Sequence, residues 1–478
     1  MNARLFGMVV FAAFFLTAGL ASANIVTLVS ASGGLTVSGT LLAYDGKTYQ
    51  VETVHGRITI ADNDLTCRGA GCPSPQDRVD VFSVLPSDRI SRETLMSLLI
   101  SFATDSKKIY VQKGPFSKPD AIELSHRTDG LESVVAFKPD AINLSFDTTP
   151  PGAAIGFDAV QIIGKASYLN GRIDAKTLRG IWDGSITNWS TLGGPDADIR
   201  LILPIFTDDL YRTLTRFDPK LSPQTLTDRV EFFLSRDAIT QAVNKDSNAI
   251  GLIYQARPTD ITLGIQTACG ITNAPSTFSI QSMEYPLAFQ INLAGDQDIM
   301  PKSATDLQSY VSTPSAQRLF AQVGIVPLVG SKIDSTNKGK RFAEAIATAD
   351  RDISLSSLKS FTDFAGNATR LATTLYFAPN GRDLDDRSTK LVAPLAAFLK
   401  TSAYADKQIM AVGYSDSKGG PKANLTTSKR RAQSVQAALS ALDVNVEARG
   451  FGEVAPIGCN NTAFGKSQNR RVEFWITN

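Results

Sequence analysis

The sequence predicts a multidomain chain that begins with a small all-β unit and continues as α/β structure to its end. Three observations carry this. The chain has 478 residues, several times the roughly 150 of an average domain. The first fifty residues after an apolar leader are β-branched runs separated by glycine-containing turn pairs. Beyond residue 78, strand-like and helix-like stretches alternate, the pattern of helices packed on sheets.

Composition narrows the function classes. With 48 basic and 46 acidic side chains the formal charge is +2, which gives no electrostatic footprint for nucleic acid. Hydrophobic residues make up 43% and charged residues 20%, the balance of a globular chain. Only two histidines, His55 and His126, are present. With no Cys/His tract, a zinc centre or His-centred triad is disfavoured, and the sequence implies no cofactor.

Residues 1–23 have the layout of a cleaved signal peptide. Arg4 supplies positive charge, Met8 to Leu20 is apolar and uncharged, and Ala21-Ser22-Ala23 offers a small-x-small cleavage pattern. This predicts a mature start at Asn24, and the run is short for a span of about 20 residues. No later stretch is apolar enough to cross a bilayer. The expectation is an exported, non-spanning protein.

Residues 24–77 form the small β unit. Strand-like runs at 25–29, 35–41, 48–53 and 57–60 are broken at Gly33-Gly34, Asp45-Gly46 and His55-Gly56. His55 reads as a surface turn residue. Cys67 and Cys72 lie in a short glycine-rich segment and are expected to form a local disulfide that braces a marginal core. Cys269 and Cys459 are too distant in sequence for their pairing to be read.

Residues 78–332 give strands at 79–84, 141–146 and 159–163, and helices at 91–103 and 173–182. Leu178 to Trp189, with Leu192-Gly193-Gly194-Pro195-Asp196, Ala249 to Tyr254, Tyr285-Pro286-Leu287 and Gly324 to Leu328, resembles the phosphate-type periplasmic binding proteins over about 250 residues. The resemblance implies two α/β lobes and a cleft for a small anionic ligand, in a solute receptor that serves a transporter or another envelope protein. Ser87, Ser145 and Thr207 are the candidate cleft hydroxyls. Where that family carries a Ser-Gly-Thr run, this chain has Leu203-Pro204-Ile205-Phe206-Thr207-Asp208-Asp209. The glycine that admits an anion to the backbone is missing, and two carboxylates that repel phosphate are added.

Residues 333–366 read as a semi-rigid connector of two short helices with polar faces, and residues 367–478 as a final α/β domain. There, Ile409 to Asp416 is a strand running into a polar loop, and Ser428 to Leu442 a helix with Ser428 as N-cap and Ala432, Val435, Leu439 and Leu442 on its buried stripe. This places Arg431 in the first helical turn, where the dipole favours anions, with Arg430 outward. A loop Asp with a helix Arg makes a receptor for a zwitterion: the carboxylate takes an ammonium and the guanidinium fork a carboxylate.

Gly413-Tyr414-Ser415-Asp416, Asn424, Ser428 to Val435, Gly450 to Glu453, Pro456, Asn469 to Glu473 and Phe377-Ala378-Pro379-Asn380 closely resemble the OmpA-like peptidoglycan-binding domain. The resemblance implies that Asp416 and Arg431 grip the ammonium and carboxylate of the diaminopimelate stem peptide of Gram-negative peptidoglycan, hence a periplasmic location. Asn380, Ser415 and Asn424 would complete the pocket. Tyr414-Ser415 stands where the family usually has His-Thr, and the serine keeps the hydroxyl. Arg470 and Arg471 read as structural ion pairs or wall contacts.

The leading expectation is therefore a peptidoglycan-anchored solute-binding protein. A structural envelope linker with a dead central cleft is the alternative. An enzyme is disfavoured: there is no Gly-x-Ser-x-Gly elbow and no histidine beside a nucleophile. Asp208 and Asp209 read as strand neighbours facing opposite ways.

Overall fold

The computed structural model describes residues 25–30, 34–44, 48–62, 65–69, 71–73, 82–84, 90–106, 109–112, 123–128, 131–135, 142–147, 152–165, 167–205, 208–255, 260–295, 302–349, 353–379, 381 and 383–477. Strands β1 (Ile25–Ser30), β2 (Thr36–Tyr44), β3 (Thr48–Thr53), β4 (Gly56–Ala61) and β5 (Leu65–Arg68) form one antiparallel sheet ordered β4-β3-β2-β1-β5. Alternation selects one face: Val26, Leu28, Tyr44, Tyr49 and Val51 are buried together. Gly56, at φ +108°, makes the turn that brings β4 back on β3. Cys67 and Cys72 are joined in a disulfide, S–S 2.06 Å.

The next sheet contains β6 (Phe82–Val84), and α1 (Arg92–Ser106) follows it. Leu95, Leu98, Leu99 and Phe102 are the buried face of α1, while Ile100 is half exposed. Strands β7 (Ile109–Gln112), β8 (Glu123–Thr128) and β9 (Leu131–Val135) form a separate antiparallel meander. Then β10 (Ile142–Asp147) pairs parallel with β6, and β11 (Ala153–Ala159) completes the first lobe's strands before the chain leaves it.

The strand expected at 159–163 is split. β11 ends at Ala159 and β12 (Gln161–Gly164) begins in a different sheet, so Val160 is where the chain crosses between lobes. The helix expected at 173–182 is also shorter. Arg172–Asp174 is strand β13, and α2 (Ala175–Trp182) starts after Asp174, whose carboxylate accepts the Lys176 and Thr177 N–H groups at 2.8 Å.

The second sheet goes on with β14 (Arg200–Pro204), α3 (Asp208–Phe217), β15 (Glu231–Phe233), α4 (Arg236–Lys245), β16 (Ala249–Ile253), β17 (Thr262–Gln266) and β18 (Thr272–Asn273), in the order β13-β17-β12-β16-β14-β15 with β18 on β17. Asp208 and Asp209 therefore open a helix; they are not strand neighbours. Asp209 pairs with Arg212 one turn on, at 2.5 Å. The chain returns to the first sheet through α5 (Thr277–Gln281) and β19 (Ala288–Ala294), which sits between β11 and β10; α6 (Lys302–Tyr310) and α7 (Pro314–Gln322) follow.

Helices α8 (Ser335–Ala347) and α9 (Leu355–Gly366) are the segment read as a connector. They do not stand off as a spacer. Phe361 of α9 is fully buried, with its ring against those of Phe342, Tyr414 and Phe451, a burial worth about 1.5–3 kcal/mol for such a side chain.

The last sheet is ordered β20 (Ala368–Tyr376), β23 (Arg471–Thr477), β21 (Gln408–Gly413), β22 (Glu447–Gly450); between its strands run α10 (Asp386–Thr389), α11 (Val392–Leu399), α12 (Pro421–Ser440) and α13 (Ala463–Asn469). Helix α12 begins seven residues before the expected Ser428, with Gly420 as N-cap and Pro421 in the first turn, where its missing N–H costs nothing. Its buried face is Asn424, Ser428, Arg431, Ala432, Val435 and Leu439. The first three of these are polar, so apolar periodicity alone starts the helix too late. Leu442 lies beyond the helix and is 37% exposed.

A disulfide and a buried ion network are among the links that join this domain to the rest. Cys269, in the turn after β17, forms a disulfide with Cys459, S–S 2.09 Å across 190 residues. A buried ion network also crosses the junction. Arg341 of α8 contacts Glu284 at 3.4 Å and Glu473 at 2.5 Å. Arg370 pairs with the same two carboxylates, and Arg471 meets Glu473 at 2.8 Å. Desolvation raises the Glu473 carboxyl, but Arg341, Arg370 and Arg471 outweigh it and hold the group down at about 2.

Candidate functional site

The site forms where helix α12 passes under the ends of β21 and β22, and glycines allow that approach. A Cβ on Gly413 would lie 1.9 Å from the Ser428 carbonyl oxygen, and one on Gly450 2.5 Å from Ser428 Oγ. Ser428 is thus mid-helix, not a cap. Its hydroxyl donates to Leu425 O and accepts from Gly452 N–H, both at 2.8 Å. Arg431 stands almost three turns into α12, so the helix dipole does not add to its contact, contrary to the expectation from sequence.

What orients Arg431 is the loop above it. Nη1 donates to the Tyr414 carbonyl at 3.0 Å and Nε to that of Gly381 at 3.3 Å, and the guanidinium lies 5.3 Å from the Phe377 ring centroid. Among the described residues, nothing accepts a hydrogen bond from its Nη2. Burial draws the guanidinium down to about 10; Asp416 opposes that shift and Arg470 adds to it. Arg430 is exposed.

Asp416 faces the same cluster and has a partner the sequence reading did not give it. Its Oδ2 meets Arg470 Nη1 at 3.1 Å, with both side chains 13% exposed, and its Oδ1 accepts the Lys418 N–H at 3.3 Å. Arg470 therefore belongs to the site, whereas Arg471 is the structural ion pair. Arg471 is fully buried, and its guanidinium lies 4.1 Å from the Tyr414 ring centroid.

Ser415 is 3% exposed and its backbone N–H donates to Gly452 O at 2.8 Å. Its Oγ and the Arg470 Nε are buried with no hydrogen-bond partner. Buried polar groups are normally satisfied, so these two atoms stand out in the cluster. The Asn424 amide donates to Gly419 O at 3.2 Å and Glu453 Oε2 at 3.0 Å, which ties the 417–420 loop to the helix. Asn380 lies outside the described residues.

Ser87 and Thr207 lie outside the described residues, and Ser145 is described only by its backbone, in β10 opposite Ala294 of β19. Near the carboxyl ends of β14 and β15, the large hydrophobic side chains of Ile205, Phe232 and Leu234 are exposed. Among the described residues no group of acidic, His or Cys side chains is arranged to hold a metal, and no helix is long and apolar enough to cross a membrane.

Comparison with known proteins bears on these units. A model of the OmpA family matches residues 376–470. The probable lipoprotein YiaD of Escherichia coli is 40% identical over 77 residues, 16% of this chain and 35% of that protein. The peptidoglycan-associated lipoprotein of Buchnera aphidicola is 29% identical over 139 residues, 28% of this chain and 73% of that protein. The chain thus spans about a third of the first relative's length. The crystal structure of PstS from Borrelia burgdorferi aligns with 52% of this chain and 98% of its own, at 13% identity and a TM-score of 0.37. The C-terminal part of this chain, with the Asp416–Arg431–Arg470 cluster inside the matched span, is an OmpA-family domain.

Proposed function

We propose that the protein is a periplasmic binding protein held non-covalently on the cell wall, its C-terminal domain gripping the diaminopimelate group of the peptidoglycan stem peptide. The observation that carries this is a buried cluster of one carboxylate and two guanidiniums with Ser415 Oγ and Arg470 Nε unpartnered. Asp416 would share its charge between Arg470 and the ligand ammonium. Arg431 and Arg470 would receive the carboxylate, and Ser415 would add a neutral hydrogen bond. The similarity to a peptidoglycan-associated lipoprotein supports the same reading.

The test is co-sedimentation of the full chain with purified sacculi. Asp416→Ala or Arg431→Ala should each abolish pelleting, because an orphaned partner charge costs about 2–5 kcal/mol. Wild-type pelleting of both variants would refute the reading. No catalytic role is assigned, and release of soluble muropeptides from the sacculi would contradict that.

The central unit is proposed as the solute-binding part, supported by its two sheets joined at Val160 and again through α5. Phosphate is not its favoured ligand: the loop after β14 lacks the backbone-exposing glycine. Calorimetry with inorganic phosphate should find millimolar binding or none; a micromolar constant would overturn this.

A further inference from the structure

We propose that the Cys269–Cys459 disulfide is a reducible latch through which the central unit fixes the geometry of the wall-binding cluster; the inference rests on the function proposed above. The two cysteine residues differ in exposure. Cys269 lies exposed in a tight turn after β17, where Thr267 O accepts from Gly270 N–H at 3.0 Å, while Cys459 is 4% exposed. A dithiol reductant can therefore reach the Cys269 side of the bond.

Beyond Cys459 the path to the site is short. Asn460 Oδ1 accepts the N–H of Ser417, the residue after Asp416, at 3.2 Å. The same oxygen accepts from Asn469 Nδ2 at 2.8 Å, and Asn469 is the residue before Arg470. Asn469 is fully buried and also holds the strand of loop before the cystine: its Oδ1 accepts from Ile457 and Gly458 N–H at 2.9 and 3.1 Å, and its Nδ2 donates to Gly458 O at 2.7 Å. The backbone is pressed close here, since a Cβ on Gly465 would meet Cys459 backbone atoms at 2.2–2.8 Å. Both halves of the Asp416–Arg470 pair are thus one residue from groups that contact Asn460, and Asn460 adjoins the disulfide. Cys67–Cys72 spans five residues inside the N-terminal unit and offers no such path.

The exchange balances without any other reactant. A thiolate of a thioredoxin-type dithiol attacks Cys269 Sγ, and Cys459 Sγ leaves as a thiolate and takes up a proton. The second thiol of the reductant then displaces Cys269, so two electrons and two protons pass to the cystine and the reductant becomes a disulfide. With the latch open, residues 457–460 lose their covalent tie to the central unit and the Asp416–Arg470 spacing loosens.

The experiment uses the full chain with Cys67→Ala and Cys72→Ala, so that one disulfide remains. Reduction in the folded state should speed amide exchange at Ser417 and residues 457–460 by at least about tenfold, with the β20–β23 amides unchanged. Sacculus affinity should fall by about tenfold and recover on reoxidation. Cys269→Ser should behave as the reduced form. A disulfide that resists the dithiol in the folded protein, unchanged exchange on opening, or oxidised-level binding by Cys269→Ser would each overturn the latch. If the oxidised chain fails to pellet with sacculi at all, the wall-binding reading fails, and the exchange measurement still decides whether the disulfide controls the loop.

Discussion

Asp416 and Arg470 hold each other at 3.1 Å across the rim of the C-terminal site, 54 residues apart in sequence. The contact orients Asp416 before any ligand arrives, and it commits one of the site's two guanidiniums. On the proposed function a stem-peptide ammonium would share Asp416, while Arg470 would offer its unpartnered Nε.

Arg470→Ala should weaken sacculus binding less than Arg431→Ala does. It removes one charged donor, worth about 1.5–3 kcal/mol, but leaves Arg431 and its backbone supports in place. Pelleting titrations of the two variants check the order, and equal or reversed losses would contradict it.

Gly381→Ala should damage the site without entering it. Gly381 sits at φ +69°, and a Cβ there would lie 2.8 Å from Arg431 Nη2. The left-handed backbone costs a non-glycine residue about 1–2 kcal/mol, and the methyl displaces the guanidinium. The expected result is a modestly lower melting temperature with a several-fold loss of wall binding; unchanged binding would show that Arg431 is not confined there.

Glu473→Gln should be severely destabilising. The substitution leaves Arg341, Arg370 and Arg471 with Glu284 as their remaining carboxylate in the network. Breaking a buried ion network from one side costs about 3–5 kcal/mol. Chemical denaturation of the two proteins measures it, and a loss below about 1 kcal/mol would mean the network is not buried in solution.

The same carboxylate sets an acid limit. Its folded-state value of about 2 lies below the ordinary 4.5. Its stabilising contribution is therefore complete above pH 4.5 and lost as pH falls towards 2, because the unfolded chain takes up the proton first. Unfolding free energy followed between pH 5 and pH 2 should drop across that window, and Glu473→Gln should flatten the drop.

Much of the local structure was legible. β-branched runs and turn pairs locate β1 to β4, and Leu95, Leu98, Leu99 and Phe102 mark α1 by their spacing. The errors share a cause. Helix α12 was started late because Asn424, Ser428 and Arg431 face inward although they are polar. Within the α8–α9 connector, the buried Arg341 looks like a surface charge in sequence until Glu284 and Glu473 are beside it.

By itself the sequence determined the short-range features: hairpins, helix faces, the Cys67–Cys72 pair, and the proximity in chain order of Asp416 and Arg431. Only the tertiary structure decided which charges meet. Pairing of Arg470 with Asp416, the five-residue ion network and the 190-residue disulfide depend on groups far apart along the chain. Hydrophobic periodicity records burial of apolar surface and carries no mark for a buried charge, whose cost is met by a partner that folding alone brings into contact.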